Sequence, residues 1–173
     1  MMLINAEVVA ALNQQIGYEF AASLQYVAVA AYFDRQGLPV LAKHFYAQSA
    51  EERDHAMRLV KYLVDADAHV KIPEVPAPQN DFASAEEAVQ LSLDGELRVT
   101  RQINGLVDLA IEHNDHLTRH FLQWFVNEQL EEVSSMDTLL RMVQRAGEAG
   151  LLLVENHPML GSHENEEAEA ETE

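Results

Sequence analysis

Four glutamates interrupt helical stripes that are otherwise apolar. Residues that recur every three or four positions share one face of a helix, and each of four long periodic segments carries one acid near the middle of its apolar face. These acids are Glu19, Glu52, Glu96 and Glu132. A buried carboxylate needs a counter-charge or takes up a proton, and no Lys or Arg lies on these stripes. The sequence therefore predicts a metal ion among the carboxylates.

Three further polar residues accompany the glutamates, and one of them bears on which metal is bound. His55 follows Glu52 by three positions, so imidazole and carboxylate share a helix face. This pair suits iron, manganese or zinc better than calcium or magnesium. Tyr26 lies on the stripe of the first glutamate, and Gln129 lies on the stripe of the fourth. The alternative without metal is a bundle that contains a few protonated or water-linked core acids.

Four long helices are needed to position these residues, and the sequence supplies them. Predicted helices cover about residues 5–34, 39–67, 84–114 and 115–147. Short turns at Gly37 and at residues 114–115 predict two antiparallel hairpins, whereas the proline-containing linker 68–83 can extend about 50 Å, one helix length. The pattern is that of an all-α four-helix bundle with one long crossover. Residues 151–154 predict a short fifth helix, in a subunit interface or folded over its own bundle end.

Composition excludes several classes of protein. The 173 residues are enough for one domain with a sizeable core, and the absence of cysteine excludes disulfides, thiolate zinc sites and iron–sulfur clusters. A net charge of −18 disfavours nucleic acid as a partner and attracts cations. No apolar run approaches the ~20 residues that span a bilayer, and the first residues lack the pattern of a signal peptide. We expect a cytoplasmic protein without a membrane partner.

The polar residues together resemble the ferroxidase centre of the non-haem ferritins, and the bacterial branch in particular. The resemblance is carried by Glu19, Tyr26, Glu52-Arg53-Asp54-His55, Glu96 and Asn127-Glu128-Gln129, and it extends over residues 7–154. It implies a ferritin-like bundle with one long crossover and a short fifth C-terminal helix. We expect a di-iron domain over residues 1–158 and an acidic, disordered tail over residues 159–173.

The resemblance implies two adjacent iron sites. Glu19, Glu52 and His55 would hold the first iron, with Glu52 bridging to the second. Glu96 would hold the second iron together with Glu52 and Glu132.

Two more residues and a third site follow from the same resemblance. Gln129 would lie beside the second iron and the oxygen-binding position, and Tyr26 would hydrogen-bond nearby and supply an electron. A third iron site is implied at Glu51, Glu128 and Glu131. These three acids lie off the main stripes, so an ordinary solvated face is the competing interpretation.

Departures from a related family also carry predictions. Bacterioferritins place a haem-ligating Met directly after the second-helix glutamate, where this chain has Arg53, so haem is not expected. They also have a second Glu-x-x-His on the fourth helix, where this chain has Gln129 and Glu132. The second iron should therefore be held more loosely. Gly95 is unusual inside a helix, since glycine costs ~1 kcal/mol there, and it predicts close backbone packing or a local bulge.

The implied function is iron storage. Fe(II) would be oxidised to Fe(III) by dioxygen or peroxide, and the product would be stored as a ferric mineral inside a homo-oligomeric shell, a 24-mer in this family. The alternative is a soluble di-metal oxidase acting on an organic substrate without storage. That enzyme needs an open cavity beside the metals, whereas Phe33, Phe45 and Phe125 are predicted to fill the stripes. A structural bundle without metal leaves the four core acids unexplained.

Overall fold

The computed structural model describes residues 4–161, which form five α-helices. Their bounds are α1 Ala6–Arg35, α2 Pro39–Asp65, α3 Ala85–Glu112, α4 His116–Ala146 and α5 Leu151–Glu155. Two short 3₁₀ helices, Glu148–Gly150 and Pro158–Gly161, flank α5, and the described part of the chain contains no strand. The predicted all-α class and all five predicted helices are confirmed. Most of the predicted acidic tail, from residue 162 onward, lies outside the described residues.

Local sequence signals determine where the long helices begin. The side chains of Asn5, Ser84 and Asp115 each accept a hydrogen bond from a backbone N–H in the following first turn, at 2.7, 3.1 and 2.9 Å. Pro39 occupies the first turn of α2, where its missing N–H has no cost. Gly37 has a φ of +74°, which allows the sharp reversal between α1 and α2. These are the predicted start and turn residues.

The helices form a square bundle. α1 packs against α2 and α3, and α3 packs against α4. α2 meets α4 where the rings of Tyr62 and Phe121 stack with centroids 3.9 Å apart. The starts of α2 and α3 lie at the same end, because Leu41 N donates to Glu155 and Ala85 N donates to Glu148. α2 and α3 are therefore parallel, as the long crossover requires.

The crossover between α2 and α3 is held along α1 by two side-chain amides. Asn13 donates to the carbonyl of His69 at 3.0 Å and accepts from the N–H of Lys71 at 2.7 Å. Gln25 donates to the carbonyl of Gln79 at 2.9 Å and accepts from its N–H at 2.8 Å. Each amide thus satisfies two backbone groups of a segment that has no helix or sheet partner of its own.

Between these two amides the crossover comes close to the backbone of α1. A Cβ atom at Gly17 would lie 2.3 Å from Cγ of Pro73, which is closer than carbon atoms can approach. Glycine is therefore required at this position for the crossover to follow its path. Gly95 behaves differently, since α3 is regular around it and only Arg98 would lie within 4 Å of its Cβ. Neither predicted role of Gly95, close backbone packing or a bulge, is found.

The apolar core consists of two clusters. The cluster near α5 includes Phe33, Leu41, Phe45, Val89, Met136 and Leu140. The cluster at the opposite end includes Leu12, Ile16, Leu59, Ile103, Leu122 and Phe125. On every long helix the predicted glutamate lies between the residues of the two clusters, and each is at most 6% exposed. The bundle therefore places a polar layer at its middle. Among residues 4–161, no helix is long and apolar enough to cross a bilayer.

Candidate metal centre

The first half of the polar layer comes from α1 and α2. Glu19, Glu52 and His55 are buried, and each offers a ligand atom within 4.8 Å of the others. Nδ1 of His55 lies 3.3 Å from Oε2 of Glu52. This contact is not a hydrogen bond, and Oε2 of Glu19 and Oε2 of Glu52 both lack a hydrogen-bond partner among residues 4–161. Two buried oxygens without donors beside an imidazole fit a metal ion.

The imidazole of this half is positioned by aromatic rings. His55 meets the edges of Trp124 and Phe125, with centroids 5.3 and 6.0 Å apart. The guanidinium of Arg58 lies over Trp124, 3.9 Å from the ring centroid. Burial lowers the pKa of His55 to about 4, so the ring is neutral at physiological pH. A neutral imidazole is the form that can donate a lone pair to a metal.

The second half of the polar layer comes mainly from α3 and α4. The hydroxyl of Tyr26 donates to Oε1 of Glu96, and Nε2 of Gln129 donates to Oε2 of Glu96 at 3.4 Å. The hydroxyl of Thr100 lies 2.8 Å from Oε1 of Gln129. Glu132 lies one turn beyond Gln129 and is also buried. In this half the carboxylate oxygens of Glu96 already accept hydrogen bonds.

Two residues of the site were not predicted. Gln15 donates to Oε1 of Glu19 at 2.9 Å, and Thr100 holds the amide of Gln129. Both lie four positions from a predicted glutamate, Gln15 before Glu19 and Thr100 after Glu96. That spacing places them on the same helix face, and it is the signal by which they could have been found.

Burial raises the pKa values of the four glutamates in the layer, and the charges of neighbouring carboxylates raise those of Glu19, Glu52 and Glu132 further. Burial raises the pKa of Glu19 to about 7 and that of Glu132 to about 9. Burial, and then the charges of Glu96 and Glu19, raise the pKa of Glu52 well above its ordinary value. Burial also raises the pKa of Glu96, against the hydrogen bond from Tyr26. Without a cation this layer retains protons, and a bound cation would displace them.

The three acids predicted for a third iron site do not form one group. Glu128 joins His55 and Glu132 in a second set whose ligand atoms lie within 4.8 Å of one another, with Nε2 of His55 4.0 Å from Oε1 of Glu128. Within residues 4–161, Glu51 and Glu131 belong to neither set of three. Glu51 is partly buried and Glu131 is exposed. Both charges help to raise the pKa of Glu132.

Comparison with known proteins agrees with this architecture. The ferritin-like domain family matches residues 9–146. BfrB of Mycobacterium tuberculosis, named a ferritin or a bacterioferritin in different strains, is 50% identical over 147 residues, which are 85% of this chain and 81% of BfrB. The bacterial non-heme ferritin of Staphylococcus aureus is 36% identical over 146 residues, 84% of this chain and 88% of that protein. The structure of an open-pore ferritin from Archaeoglobus fulgidus matches with a TM-score of 0.86 at 32% identity, and the match covers 90% of this chain and 96% of that one. The chain belongs to the ferritin family.

Proposed function

We propose that this protein oxidises Fe(II) to Fe(III) at the polar layer and stores the product as a ferric mineral. One observation carries the proposal: Glu19, Glu52 and His55 form a compact buried set of ligands, with two carboxylate oxygens that no donor within residues 4–161 satisfies. The relatives, which are named ferritins, support iron as the cargo.

The proposed reaction uses two ferrous ions as substrates. Each ion gives up one electron, and dioxygen takes up both electrons and two protons to become hydrogen peroxide. Peroxide as the oxidant would take up two electrons and two protons to give two water molecules. The protein contributes the charge of its deprotonated carboxylates, which stabilise ferric iron more than ferrous iron.

Each ligand residue has a distinct role in this proposal. Glu19 and His55 hold the first ion, and Glu52 bridges the two. Glu96 holds the second ion together with Glu132.

The other polar residues of the layer have supporting roles. Gln129 lies beside the second ion, where its amide holds an oxygen of Glu96. The hydroxyl of Tyr26 orients the same carboxylate. Where only one ferrous ion is bound, Tyr26 would supply the second electron, together with its phenolic proton, to the oxidant. Glu128, with Glu51 and the exposed Glu131, would receive iron that leaves the pair.

We propose that the subunits assemble into a hollow shell, a 24-mer. Leu151 and Val154 of α5 are buried against their own bundle, whereas Leu152 and Leu153 are 66% and 76% exposed. Leu130 on α4 is 75% exposed. Exposed leucines of this kind are typical of surfaces that subunit contacts cover.

Haem plays no part in the proposal. Arg53 follows Glu52 at the position where bacterioferritins have a haem-ligating Met, and its side chain is 64% exposed.

A di-metal oxidase acting on an organic molecule is the second candidate, and one observation favours it. A cavity of about 320 Å³ lies between α1 and α3 and borders Tyr26 and Glu96. The buried phenylalanines fill the core stripes as predicted, but they do not close this cavity. Such an oxidase would bind its two metal ions and store none.

Aerobic loading separates the two candidates. Metal-free protein receives excess ferrous iron and then passes through size exclusion, with iron and protein measured in every fraction. Many irons per subunit on a large particle would support storage. About two per subunit on a small particle would support the oxidase, and no bound iron would refute both. Glu112→Ala, an exposed acid at the end of α3, is the matched control for acid substitutions in the layer.

A further inference from the structure

The cavity between α1 and α3 leads from the protein surface to the polar layer. Its outer lining includes exposed residues, Tyr18, Pro76 and Arg98, and its inner lining includes the buried Tyr26 and Glu96. The crossover forms its roof through residues 76–78. A small molecule that enters beneath the crossover would therefore arrive at the carboxylate that we assign to the second iron.

The lining of this cavity is suited to a neutral, apolar molecule. Ala21, Ala22, Leu91, Gly95 and Val99 present hydrocarbon or no side chain at all, while Gln25, Ser92 and Gln102 add uncharged polar groups. Glu96 is the only acidic residue of the lining, and the guanidinium of Arg98 lies near the surface. Before it reached Glu96, a ferrous ion would pass the positive charge of Arg98 and meet no anionic side chain of the lining, so the cavity is a poor route for a cation.

The opposite face of the bundle has the reverse character. Between α2 and α4, Glu128 approaches His55 and Glu132, and Glu51 and Glu131 lie nearby. Carboxylates at these positions attract cations and offer successive ligands. The two faces therefore divide the two kinds of substrate between them: the acidic face suits iron, and the apolar face suits an uncharged oxidant.

We propose that the cavity between α1 and α3 is the passage through which dioxygen reaches the iron pair. The proposal rests on the ferroxidase function proposed above and specifies the oxidant and its route. Dioxygen is small, apolar and uncharged, so it can occupy the apolar stretch of the lining at Ala22, Leu91 and Val99 without needing a charged or hydrogen-bonding partner. At the iron pair, dioxygen accepts one electron from each of the two ferrous ions and takes up two protons. It then leaves as hydrogen peroxide.

Gly95 offers a way to close the passage without disturbing the fold. It lines the cavity, and apart from Nη2 of Arg98 at 3.9 Å nothing would lie near a Cβ placed there. A leucine side chain at this position would extend into the cavity, and leucine favours a helix more than glycine does. Gly95→Ala adds one methyl group and leaves most of the space. Gly105→Leu is the matched control, because Gly105 lies on the same helix with open space around it and outside the cavity.

Stopped-flow oxidation of Fe(II) at varied dioxygen concentration tests the passage. We expect Gly95→Leu to lower the second-order rate constant for dioxygen at least about fivefold. Anaerobic Fe(II) binding and oxidation by hydrogen peroxide, which is polar, should match the wild type. Gly95→Ala should have a smaller effect, and Gly105→Leu should have none. An unchanged dioxygen rate in Gly95→Leu overturns the proposal, and so do equal losses with both oxidants, which would place the effect on the iron pair.

Xenon provides a test that does not depend on activity. Crystals pressurised with xenon should show an atom in the cavity of the wild type and of Gly105→Leu, and none in Gly95→Leu. A wild-type cavity filled by ordered water under xenon overturns the proposal.

The kinetic test also distinguishes failure of the proposed function from failure of the proposed passage. A wild type that does not oxidise iron refutes the ferroxidase and the passage together. An active wild type whose dioxygen rate is matched by Gly95→Leu refutes the passage alone.

Discussion

The two halves of the polar layer satisfy their carboxylates in different ways. In the half formed by α1 and α2, Oε2 of Glu19 and Oε2 of Glu52 lack hydrogen-bond donors and face a neutral His55. In the half formed by α3 and α4, both oxygens of Glu96 accept hydrogen bonds, one from Tyr26 and one from an amide. A metal ion gains more where it satisfies a buried orphan group than where it must replace an existing hydrogen bond. We therefore expect a tight first site and a weaker second site.

The substitution with the largest expected effect removes the residue that both halves share. Glu52→Ala should lower the initial rate of aerobic Fe(II) oxidation at least about 100-fold, because outer-shell partners alone commonly contribute about 10- to 100-fold. Stopped-flow absorbance of ferric product measures this rate. Glu112→Ala should match the wild type, and a wild-type rate in Glu52→Ala would place the bridge at another residue.

Removing one ligand from each half tests the predicted difference between them. His55→Ala should reduce anaerobic Fe(II) binding from about two ions to about one per subunit, because the first site loses its only imidazole. Glu132→Ala should leave the tight ion in place and weaken only the other. Isothermal titration calorimetry under nitrogen measures both stoichiometries, with His120→Ala as an exposed control. Identical titrations for the two variants would mean that the halves are equivalent.

Adding an imidazole to the half formed by α3 and α4 should bring its affinity for Fe(II) closer to that of the other half. Gln129→His would place a neutral ligand beside Glu96, and we expect about tenfold tighter binding of the second ion. Transfer of oxidised iron onward should slow, since a tighter site releases its ion more slowly. Sequential loading followed by Mössbauer spectroscopy would show more iron retained at the centre than in the wild type. Equal retention would contradict a link between second-site affinity and turnover.

The smallest expected effect concerns pH and the metal-free protein. Glu19 has a pKa of about 7 in the fold against 4.5 ordinarily, so the folded chain binds this proton more tightly than the unfolded chain. The contribution of that proton to the free energy of unfolding is present at low pH and is lost as the pH rises from about 4.5 through about 7. For this residue the contribution is at most about 3 kcal/mol. Calorimetry should show a falling unfolding temperature over this range, because the raised pKa of Glu132 acts in the same direction and, together with Glu19, outweighs the opposite contribution of the lowered pKa of His55. Metal loading should remove the dependence, and a rising temperature for the metal-free protein would contradict the assignment.

Much of the architecture could be predicted because its signals are local. The caps at Asn5, Ser84 and Asp115 lie within three residues of the N–H groups that they satisfy, and the stripe glutamates follow from helical periodicity alone. The same periodicity placed Glu52 and His55 on one face of α2, and the resemblance to the ferritins implied Glu19 as their partner; the ligand atoms of the three residues lie together.

The features that were not predicted depend on contacts between distant segments. The cavity exists because Asn13 and Gln25 hold the crossover over the groove between α1 and α3, and neither amide signals this partner in sequence. Likewise, the approach of Glu128 to His55 and Glu132 joins α2 to α4 and was not predicted. Spacing along one helix cannot report on either arrangement.

The division of the core into two apolar clusters separates stability from chemistry. The outer clusters hold the helices together, while the layer between them concentrates repelling charges that an apolar filling would avoid. Replacing such a layer with leucines of similar volume commonly strengthens a fold and removes its function. Each carboxylate that makes the middle layer able to bind metal therefore also lowers the free energy of unfolding of the metal-free protein. Bound metal should raise that free energy again, so that loading and folding stabilise each other.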